Sequence, residues 1–383
     1  MADIRPVKIL YIHPTFTFGG AERTSLNLLR ALNKARFKVT LVTSREIASY
    51  FAGVQLEKII YVEDIGMCVW FGSLKELYDD VRIARRLMSE EKPHIAFGMM
   101  HYASTILALA RKLFRIKTTI ISSPRGPSTD YLSTCFSKES ERLFLKVLFS
   151  FFCRYSDRII VPSAGTKEDC VMHFGADRER VRVINNSIDA GLISERSMED
   201  IDIELPEGVF VISTAGRLSM EKNMPLLLRA FTALRKTVDA RLLIIGDGPE
   251  RRHLEAAASE LGIRDDIFFT GFQENPYKYI RRSDVFVHTC LVEGFGNMIV
   301  EAMACSVPVI ATDCPYGPRE IITNGEDGAL VDMYDTDELV NAIHTILYNE
   351  EMKRKLSEGA RQRSLFFSVE RMVTAYEEVF QQS

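Results

Sequence analysis

The sequence predicts an α/β protein with two domains, each built on a parallel β-sheet. The 383 residues are too many for one ordinary hydrophobic core. Short apolar runs alternate with longer amphipathic stretches, a pattern typical of parallel sheets covered by helices on both faces. The alternation stops in a polar, acidic stretch over residues 191–207 and then restarts, which predicts a linker between two domains.

The predicted N-terminal domain covers residues 1–190. Its strand-like runs are Val7–Ile12, Lys38–Val42, His94–Phe97, Thr118–Ile121, Arg158–Val161 and Val181–Ile184, and its helical patterns include Ser73–Glu90 and Ser137–Tyr155. Strands separated by helices in this way predict a Rossmann-like unit.

The predicted C-terminal domain covers residues 208–365. Its strand-like runs are Phe210–Ser213, Arg241–Ile245, Ile267–Phe269, Val285–Val287, Pro308–Ile310 and Ala329–Val331. Residues 366–383 predict a last helix; the pattern does not identify its docking partner, for which the N-terminal domain is one candidate. In such sheets ligands bind at the carboxyl ends of the strands, so the cleft between the two domains is the expected site.

The amino-acid composition indicates the cellular compartment and the kind of binding partner. Seven scattered cysteines form no C-x-x-C pair, which argues against a zinc site and a disulfide framework and favours a cytoplasmic protein. Residues 1–190 carry 28 Lys and Arg against 20 Asp and Glu, whereas residues 191–383 carry 20 against 32. The basic half favours an anionic partner, such as a membrane surface or a lipid diphosphate, although a chance imbalance of solvated charges fits equally. The net charge of -4 and the absence of a motif argue against nucleic acid.

Two loops after predicted strands suit a phosphate ligand. The first runs from Gly216 to Asn223 and carries Arg217 and Lys222, a bidentate fork and a point charge that suit a diphosphate. A basic surface loop is the alternative. In the second, glycines flank Asp247 and let the backbone approach a ligand closely, unless Asp247 simply caps the following helix.

Two further loops suit the remaining parts of such a ligand. Phe272 follows Gly271 at a strand end, where backbone groups would meet a nucleobase. Between Glu293 and Glu301, two glycines precede a predicted helix whose first amides attract anions. Carboxylates accept hydrogen bonds from sugar or ribose hydroxyls. The alternative is an acid favoured by the helix dipole plus a solvated Glu.

Taken together, these motifs resemble the family-four retaining glycosyltransferases of the GT-B fold. The resemblance rests on the Glu-x7-Glu loop and the Gly-Arg-Leu-x3-Lys loop upstream, and it extends over nearly the whole chain. Its other elements are Gly19-Gly20-Ala21-Glu22-Arg23, Val161-Pro162-Ser163 and Asn186-Ser187-Ile188-Asp189. A GT-B protein has two Rossmann-like domains with parallel sheets facing across a cleft.

The resemblance implies roles for individual residues. Arg217 and Lys222 would hold the donor diphosphate and, with Glu293 at the sugar, form the catalytic set, while Glu301 would take the ribose hydroxyls. The remaining donor-binding residues would be Gly19, Gly20, Gly216, Gly246, Asp247, Phe272, Gly296, Asn297 and Met298, with the two N-terminal glycines closing over the diphosphate.

The resemblance also implies an activity. It is the transfer of a hexose or N-acetylhexosamine from a nucleotide sugar, expected to be a UDP-sugar, to a lipid-linked or polysaccharide acceptor in cell-surface glycan synthesis. Residues 313–321, DCPYGPREI, resemble a subgroup that transfers N-acetylhexosamines. A sugar-nucleotide epimerase, a soluble sugar synthase and a non-catalytic sugar-nucleotide-binding subunit remain alternatives.

The acceptor side departs from the family. Many relatives carry a His after the strand at Thr118–Ile121, where this chain has Ser122–Gly126. Arg125 is the nearest candidate for contact with an anionic acceptor. His101 is the second candidate, although a lone His at a helix start is more often structural.

No metal cofactor is expected. Two Asp-x-Asp sequences occur, but Asp200-Ile201-Asp202 lies in the predicted linker, and Asp335-Thr336-Asp337 opens a predicted helix that Asp335 would cap. We therefore expect transfer without a metal.

Membrane contact is the last expectation. Residues 143–152 are strongly apolar between Arg142 and Arg154. They fit a helix buried on the first sheet, which we favour, or an interfacial helix at the inner face of the membrane.

Overall fold

The chain divides into two compact units in the computed structural model, which describes residues 6–15 and 19–383 apart from the side chain of Cys135. The first unit runs to Ser187 and takes in Val369–Ser383 from the end of the chain. The second comprises Ile188–Ser368. The chain therefore passes from one unit to the other twice.

The first unit is built on a parallel sheet with seven strands among the described residues, in the order β3-β2-β1-β4-β5-β6-β7. Ile9 of the first strand in the chain pairs with Val39 on one side and with Ile95 on the other. The strands are β1 Val7–Ile12, β2 Phe37–Thr43, β3 Lys58–Tyr61, β4 Ile95–Met99, β5 Thr119–Ser123, β6 Arg158–Val161 and β7 Val181–Val183.

The second unit is built on a parallel sheet of six described strands, in the order β10-β9-β8-β11-β12-β13. Chain order reverses on either side of β8, so a topological switch point lies between β8 and β11, where ligands of such sheets bind. The strands are β8 Phe210–Ala215, β9 Ala240–Ile245, β10 Ile267–Gly271, β11 Val285–His288, β12 Val309–Thr312 and β13 Ala329–Val331.

Helices connect the strands of each sheet. In the first part of the chain they are α1 Gly20–Ala31, α2 Arg45–Ala48, α3 Val62–Ile65, α4 Leu74–Glu91, α5 Met100–Phe114, α6 Ser128–Cys135, α7 Glu139–Tyr155 and α8 Ala164–Phe174. They continue with α9 Ala190–Ser197, α10 Met224–Leu234, α11 Arg251–Glu260, α12 Tyr277–Ile280, α13 Asn297–Ala304, α14 Pro318–Ile321, α15 Thr336–Tyr348, α16 Glu350–Ser364 and α17 Val369–Gln381.

The predicted linker at 191–207 is wrong in its first part, because the chain there forms helix α9. Asp189 accepts a hydrogen bond from the Leu192 amide and caps the helix. Ile193 is buried in the second core, and Ile201, Ile203 and Leu205 pack against it. Ile201, Ile203 and Leu205 alternate with acids at a strand-like period of two, but the structure forms no strand over these residues.

Helix α17 packs with the first unit. It contacts α1, and Tyr376 and Phe380 are buried in the core beside Phe97. The segment from Ile188 to Ser368 is therefore inserted between two parts of the first unit.

Both Asp-x-Asp sequences have structural partners. Asp335 accepts a hydrogen bond from the Glu338 amide and caps α15, as predicted. Asp202 accepts a hydrogen bond from the Tyr279 hydroxyl.

Candidate active site

The candidate site lies at the carboxyl ends of β8 and β11. Strand β8 leads into residues 216–223, and β11 leads into residues 289–296. Because the two strands are hydrogen-bonded neighbours in parallel, their following loops lie side by side at the switch point.

A single tight turn presents Lys222. Residues Met220–Lys222 form one turn of 3₁₀ helix, and Asn223 ends it with a φ of 46°. The turn is tied to the loop after β11, because Thr289 Oγ1 donates to the Lys222 carbonyl at 3.0 Å and the Leu291 amide donates to the Glu221 carbonyl at 2.9 Å. Backbone contacts thus fix the two loops to each other.

Lys222 and Glu293 form a mostly buried ion pair. Lys222 Nζ lies 2.6 Å from Glu293 Oε2, and each side chain is 18% exposed. Burial opposes ionisation of both groups, but the Lys222 charge and a His288 hydrogen bond lower the pKa of Glu293. Burial likewise lowers the pKa of Lys222, but the charges around it outweigh this and raise that pKa. Both groups are therefore charged at neutral pH.

His288 and Cys290 complete this cluster, and the sequence analysis missed both. His288 Nε2 lies 3.1 Å from Glu293 Oε2, and Cys290 Sγ lies 2.8 Å from His288 Nε2. Both side chains are buried at the end of β11. The sequence feature that could have indicated them is their position just before Glu293, because His and Cys side chains can bind protons or metal ions.

The cluster contains the atoms of a metal site but already holds a cation. The ligand atoms of His288, Cys290 and Glu293 all lie within 4.8 Å of one another. Lys222 Nζ lies 2.6 Å from the Glu293 carboxylate and 3.8 Å from Cys290 Sγ. The ammonium therefore supplies the positive charge that a metal ion would bring.

Arg217 is the exposed cation of the site. Within the described residues it forms no ion pair, so its guanidinium is available to an anion. Gly216 and Leu218 on either side are fixed by backbone hydrogen bonds of 2.9 Å to the carbonyls of Ile245 and Asp247.

Gly246 and Asp247, which follow β9, pack against the backbone of this loop. A Cβ on Gly246 would lie 1.9 Å from the Gly216 carbonyl oxygen, so only glycine allows this approach. The Asp247 carboxylate accepts from the Gly248 amide at 2.7 Å and pairs with Arg251 at 3.2 Å. The structure thus gives both residues a role in shaping the Arg217 loop.

Helix α13 begins beside Glu293. Gly296 precedes the helix with a φ of 110°, and Asn297 and Met298 form its first turn, whose amides lack intrahelical acceptors in any α-helix. Glu301 lies one turn further and is buried. Phe272, after β10, is 65% exposed.

The DCPYGPREI segment packs against the Glu293 loop. A Cβ on Gly317 would lie 2.3 Å from the Phe295 carbonyl oxygen. The Arg319 guanidinium forms a bidentate pair with Asp313 at 2.8 Å, which closes the segment on itself. The segment therefore buttresses the loop between the two glutamates.

In the first unit, Gly19 and Gly20 open helix α1. The Gly19 amide donates to Glu22 Oε2 at 2.8 Å, and Glu22 Oε1 lies 3.2 Å from the buried His13. Burial opposes ionisation of Glu22, but His13 and backbone amides lower its pKa. The glycines directly follow residues 16–18, which lie outside the described part of the chain.

Arg125 joins three parts of the first unit. Its guanidinium donates to Ser123 Oγ at 3.1 Å, to the Tyr376 hydroxyl at 3.3 Å and to Asn186 Oδ1. All three acceptors are neutral, and among the residues described Arg125 has no ion pair. Its charge is therefore not compensated by these contacts.

The structure contradicts the assignment of His101 to the acceptor side. The side chain is buried, with its ring stacked at 4.7 Å on both Tyr131 and Phe149. Its Nε2 lies 2.9 Å from Ser128 Oγ, and burial lowers the pKa of His101 to about 3. His101 is a neutral core residue.

Comparison with known proteins identifies the family. The family description "Glycosyl transferases group 1" matches residues 196–363, and "Glycosyltransferase Family 4" matches residues 18–192. The chain is 32% identical over 375 residues to the lipopolysaccharide core biosynthesis glycosyltransferase LpsD of Rhizobium meliloti, with 98% of each chain covered.

A second relative comes from Campylobacter jejuni. It is the N-acetylgalactosamine-N,N'-diacetylbacillosaminyl-diphospho-undecaprenol 4-alpha-N-acetylgalactosaminyltransferase, 31% identical over 262 residues, which are 68% of this chain and 69% of the relative. Among solved structures, Anabaena Alr3699/HepE in complex with UDP and glucose matches with a TM-score of 0.78 at 21% identity, covering 98% of this chain and 100% of that one. This likeness confirms the predicted GT-B fold. Because LpsD aligns along nearly the whole chain and both family descriptions match, the chain belongs to the family-four glycosyltransferases.

Proposed function

We propose that this glycosyltransferase moves a hexose or N-acetylhexosamine from a UDP-sugar to a lipid-linked or polysaccharide acceptor, with retention of configuration and without a metal. The observation on which this proposal mainly rests is the Lys222–Glu293 ion pair of 2.6 Å at the switch point of the second sheet. The neighbour solved with UDP and glucose supports the choice of nucleotide. The Campylobacter relative, named for transfer to a diphospho-undecaprenol substrate, supports the acceptor class.

In this mechanism the cations act on the leaving group. Negative charge develops on the nucleoside diphosphate as the glycosidic bond breaks. Arg217, Lys222 and the first amides of α13 would be oriented toward that charge in advance, which lowers the barrier without reorganisation. Glu301 would hold the ribose hydroxyls from one turn inside the helix.

Glu293 would act as a fixed anion at the sugar. Because Lys222 and His288 lower its pKa despite burial, it holds no proton to donate at neutral pH. It therefore suits positioning of a sugar hydroxyl or stabilisation of an oxocarbenium-like centre. The leaving phosphate oxygen would accept the proton of the acceptor hydroxyl in a front-face attack, which retains configuration.

The nucleotide specificity is tested by binding before activity. Thermal shift with UDP-, GDP- and ADP-sugars should give the largest stabilisation with a UDP-sugar, since ligands that bind only the folded state raise its stability. Mass spectrometry with lipid-linked acceptors then identifies the product. Release of nucleoside diphosphate only when acceptor is present supports transfer, whereas interconversion of the free donor would indicate an epimerase.

Excess EDTA should leave the transfer rate unchanged. The Lys222 ammonium already neutralises the Glu293 carboxylate, so a metal ion is not needed for that charge. The assay compares protein dialysed against EDTA with the same protein plus Mg²⁺ or Mn²⁺. Abolition by EDTA that only a divalent cation reverses would contradict this prediction.

We further propose that the enzyme works at the inner face of the membrane through an apolar face of α7. Leu145, Leu148, Phe149 and Phe152 on one side of the helix are buried in the first unit. On the other side Leu143, Phe144 and Val147 are exposed by 64%, 41% and 61%. Exposed Lys146 and Arg154 on the same helix suit anionic headgroups. No helix in the described ranges is long and apolar enough to span a bilayer.

Flotation with anionic liposomes at low salt should recover the wild-type protein. The variant Leu143→Ser/Val147→Ser should bind less, because each buried apolar side chain contributes about 1.5–3 kcal/mol. Leu365→Ser, at another exposed leucine in the second unit, is the matched control. Absence of wild-type binding at low salt would exclude the proposed contact.

A further inference from the structure

The two oxygens of the Glu293 carboxylate have unequal surroundings. Oε2 is approached by Lys222 Nζ at 2.6 Å, His288 Nε2 at 3.1 Å and Cys290 Sγ at 3.4 Å. Oε1 receives a longer contact of 3.3 Å from the adjacent Gly294 amide. Three side chains, from the loop after β8, the end of β11 and the loop that follows it, thus converge on Oε2, and none of the three is hydrogen-bonded to Oε1.

The protons can be assigned from burial and charge. Burial lowers the pKa of His288, and although the Glu293 carboxylate acts in the opposite direction, the net shift is downward. A neutral imidazole has one N–H, and an ionised carboxylate only accepts hydrogen bonds. The His288 proton therefore resides on Nε2 and is donated to Oε2. Burial raises the pKa of the Cys290 thiol well above its usual value, so it stays protonated and is a weak third donor.

Lys222 cannot fix this carboxylate alone if it also serves the donor diphosphate. An ammonium on a flexible stem shifts toward added phosphate charge, whereas a side chain at the end of a buried strand does not. His288 ends β11 and is 3% exposed. Its carbonyl and that of Cys290 both accept from Thr312 Oγ1, at 3.4 and 2.6 Å, which anchors the strand end to β12.

We propose, on the basis of the proposed function, that His288 is a positioning residue that holds Glu293 Oε2 and thereby presents Oε1 to the donor sugar. His288 does not touch the sugar in this arrangement and acts through Glu293. The ionisable groups that face the pair are Lys222, Glu221, Cys290 and Cys314, from the loops after β8, β11 and β12.

Two substitutions separate positioning from packing. His288→Leu keeps a buried side chain of similar volume without a donor, and His288→Gln returns an N–H near the position of Nε2. We expect His288→Leu to lower kcat by about 10–100-fold, because misplacement of a catalytic group by about 1 Å costs about that much. The KM for the donor should change by less than about threefold, since the diphosphate contacts remain. His288→Gln should restore most of kcat.

The dependence of kcat on pH distinguishes positioning from packing, because a packing defect would not shift the acidic limb of the profile. Loss of the His288 hydrogen bond removes one contribution that lowers the pKa of Glu293. The acidic limb of the kcat profile should therefore move to higher pH in His288→Leu and return toward the wild-type position in His288→Gln. An unmoved limb with near-normal kcat in His288→Leu, or equal defects in both variants, would overturn the proposal.

Long-range proton–nitrogen NMR tests the same point without turnover. The His288 signal, assigned by its loss in His288→Gln, should show the neutral Nε2–H tautomer between about pH 6 and 8, where a free imidazole would titrate. An Nδ1–H tautomer or a doubly protonated ring would overturn the proposal. The expected tautomer in a protein that transfers no sugar would instead refute the proposed function and leave the positioning arrangement intact.

Discussion

Lys222→Ala will lower kcat/KM by at least about a hundredfold, because preorganised stabilisation of a leaving group is usually worth that much. Arg217→Ala will cause a loss of similar size. The two variants will differ in stability. Arg217 is exposed, so its removal should change the free energy of unfolding by less than about 0.5 kcal/mol.

Lys222→Ala should also destabilise the second unit. The substitution leaves the Glu293 carboxylate without its counter-charge in a site where it is 18% exposed. Breaking a buried pair in this way costs about 3–5 kcal/mol, and the residual exposure places this site near the lower end. Thermal unfolding of the variants, with the exposed Lys236→Ala as the matched control, measures the difference. Near-normal turnover in both Arg217→Ala and Lys222→Ala would refute the diphosphate assignment.

The destabilisation should depend on pH with a defined sign. The pKa of Glu293 is lower in the folded state, so its contribution is complete above the unfolded pKa and is lost as the pH falls. The pKa of Lys222 is higher in the folded state, so its contribution is complete below the unfolded pKa and is lost as the pH rises. The difference between wild type and Lys222→Ala should therefore be largest between about pH 5 and 10 and shrink at lower pH.

The core strands could be predicted from the sequence because burial on both faces leaves an uninterrupted apolar run. Val7–Ile12 and Arg158–Val161, both inside the first sheet, were predicted with the ends that the structure has. Strand β3, Lys58–Tyr61, was missed because its apolar run is short and its half-buried or exposed side chains do not alternate between apolar and polar.

Two buried histidines show how far the functional site can be predicted from the sequence. His101 and His288 are equally isolated in the sequence, at a helix start and at a strand end. The first is enclosed by Tyr131 and Phe149, whereas the second meets Glu293 across a loop. The role of each histidine depends on a neighbour that the tertiary fold supplies, and the local sequence does not identify that neighbour.

Gly246→Ala will destabilise the second unit by about 3 kcal/mol or more, because backbone strain and overpacking add at this position. The φ of Gly246 is 137°, and its new Cβ would lie 1.9 Å from the Gly216 carbonyl oxygen. Neither strand end can yield, because the Gly246 amide donates to the Gly271 carbonyl at 2.8 Å and the Gly216 amide donates to the Ile245 carbonyl at 2.9 Å. Circular dichroism during urea unfolding measures the loss.

Gly262→Ala separates strain from the clash. Gly262 has a φ of 69°, and nothing lies within 4 Å of the added Cβ. The Gly262→Ala substitution should therefore lower the free energy of unfolding only by the cost of a left-handed backbone at alanine, about 1–2 kcal/mol. Gly246→Ala should in addition weaken donor binding, because displacing Gly216 displaces the adjacent Arg217. The contrary result is equal destabilisation by the two substitutions together with unchanged donor affinity in Gly246→Ala. That result would mean that the Arg217 loop does not depend on the close contact between Gly246 and the Gly216 carbonyl.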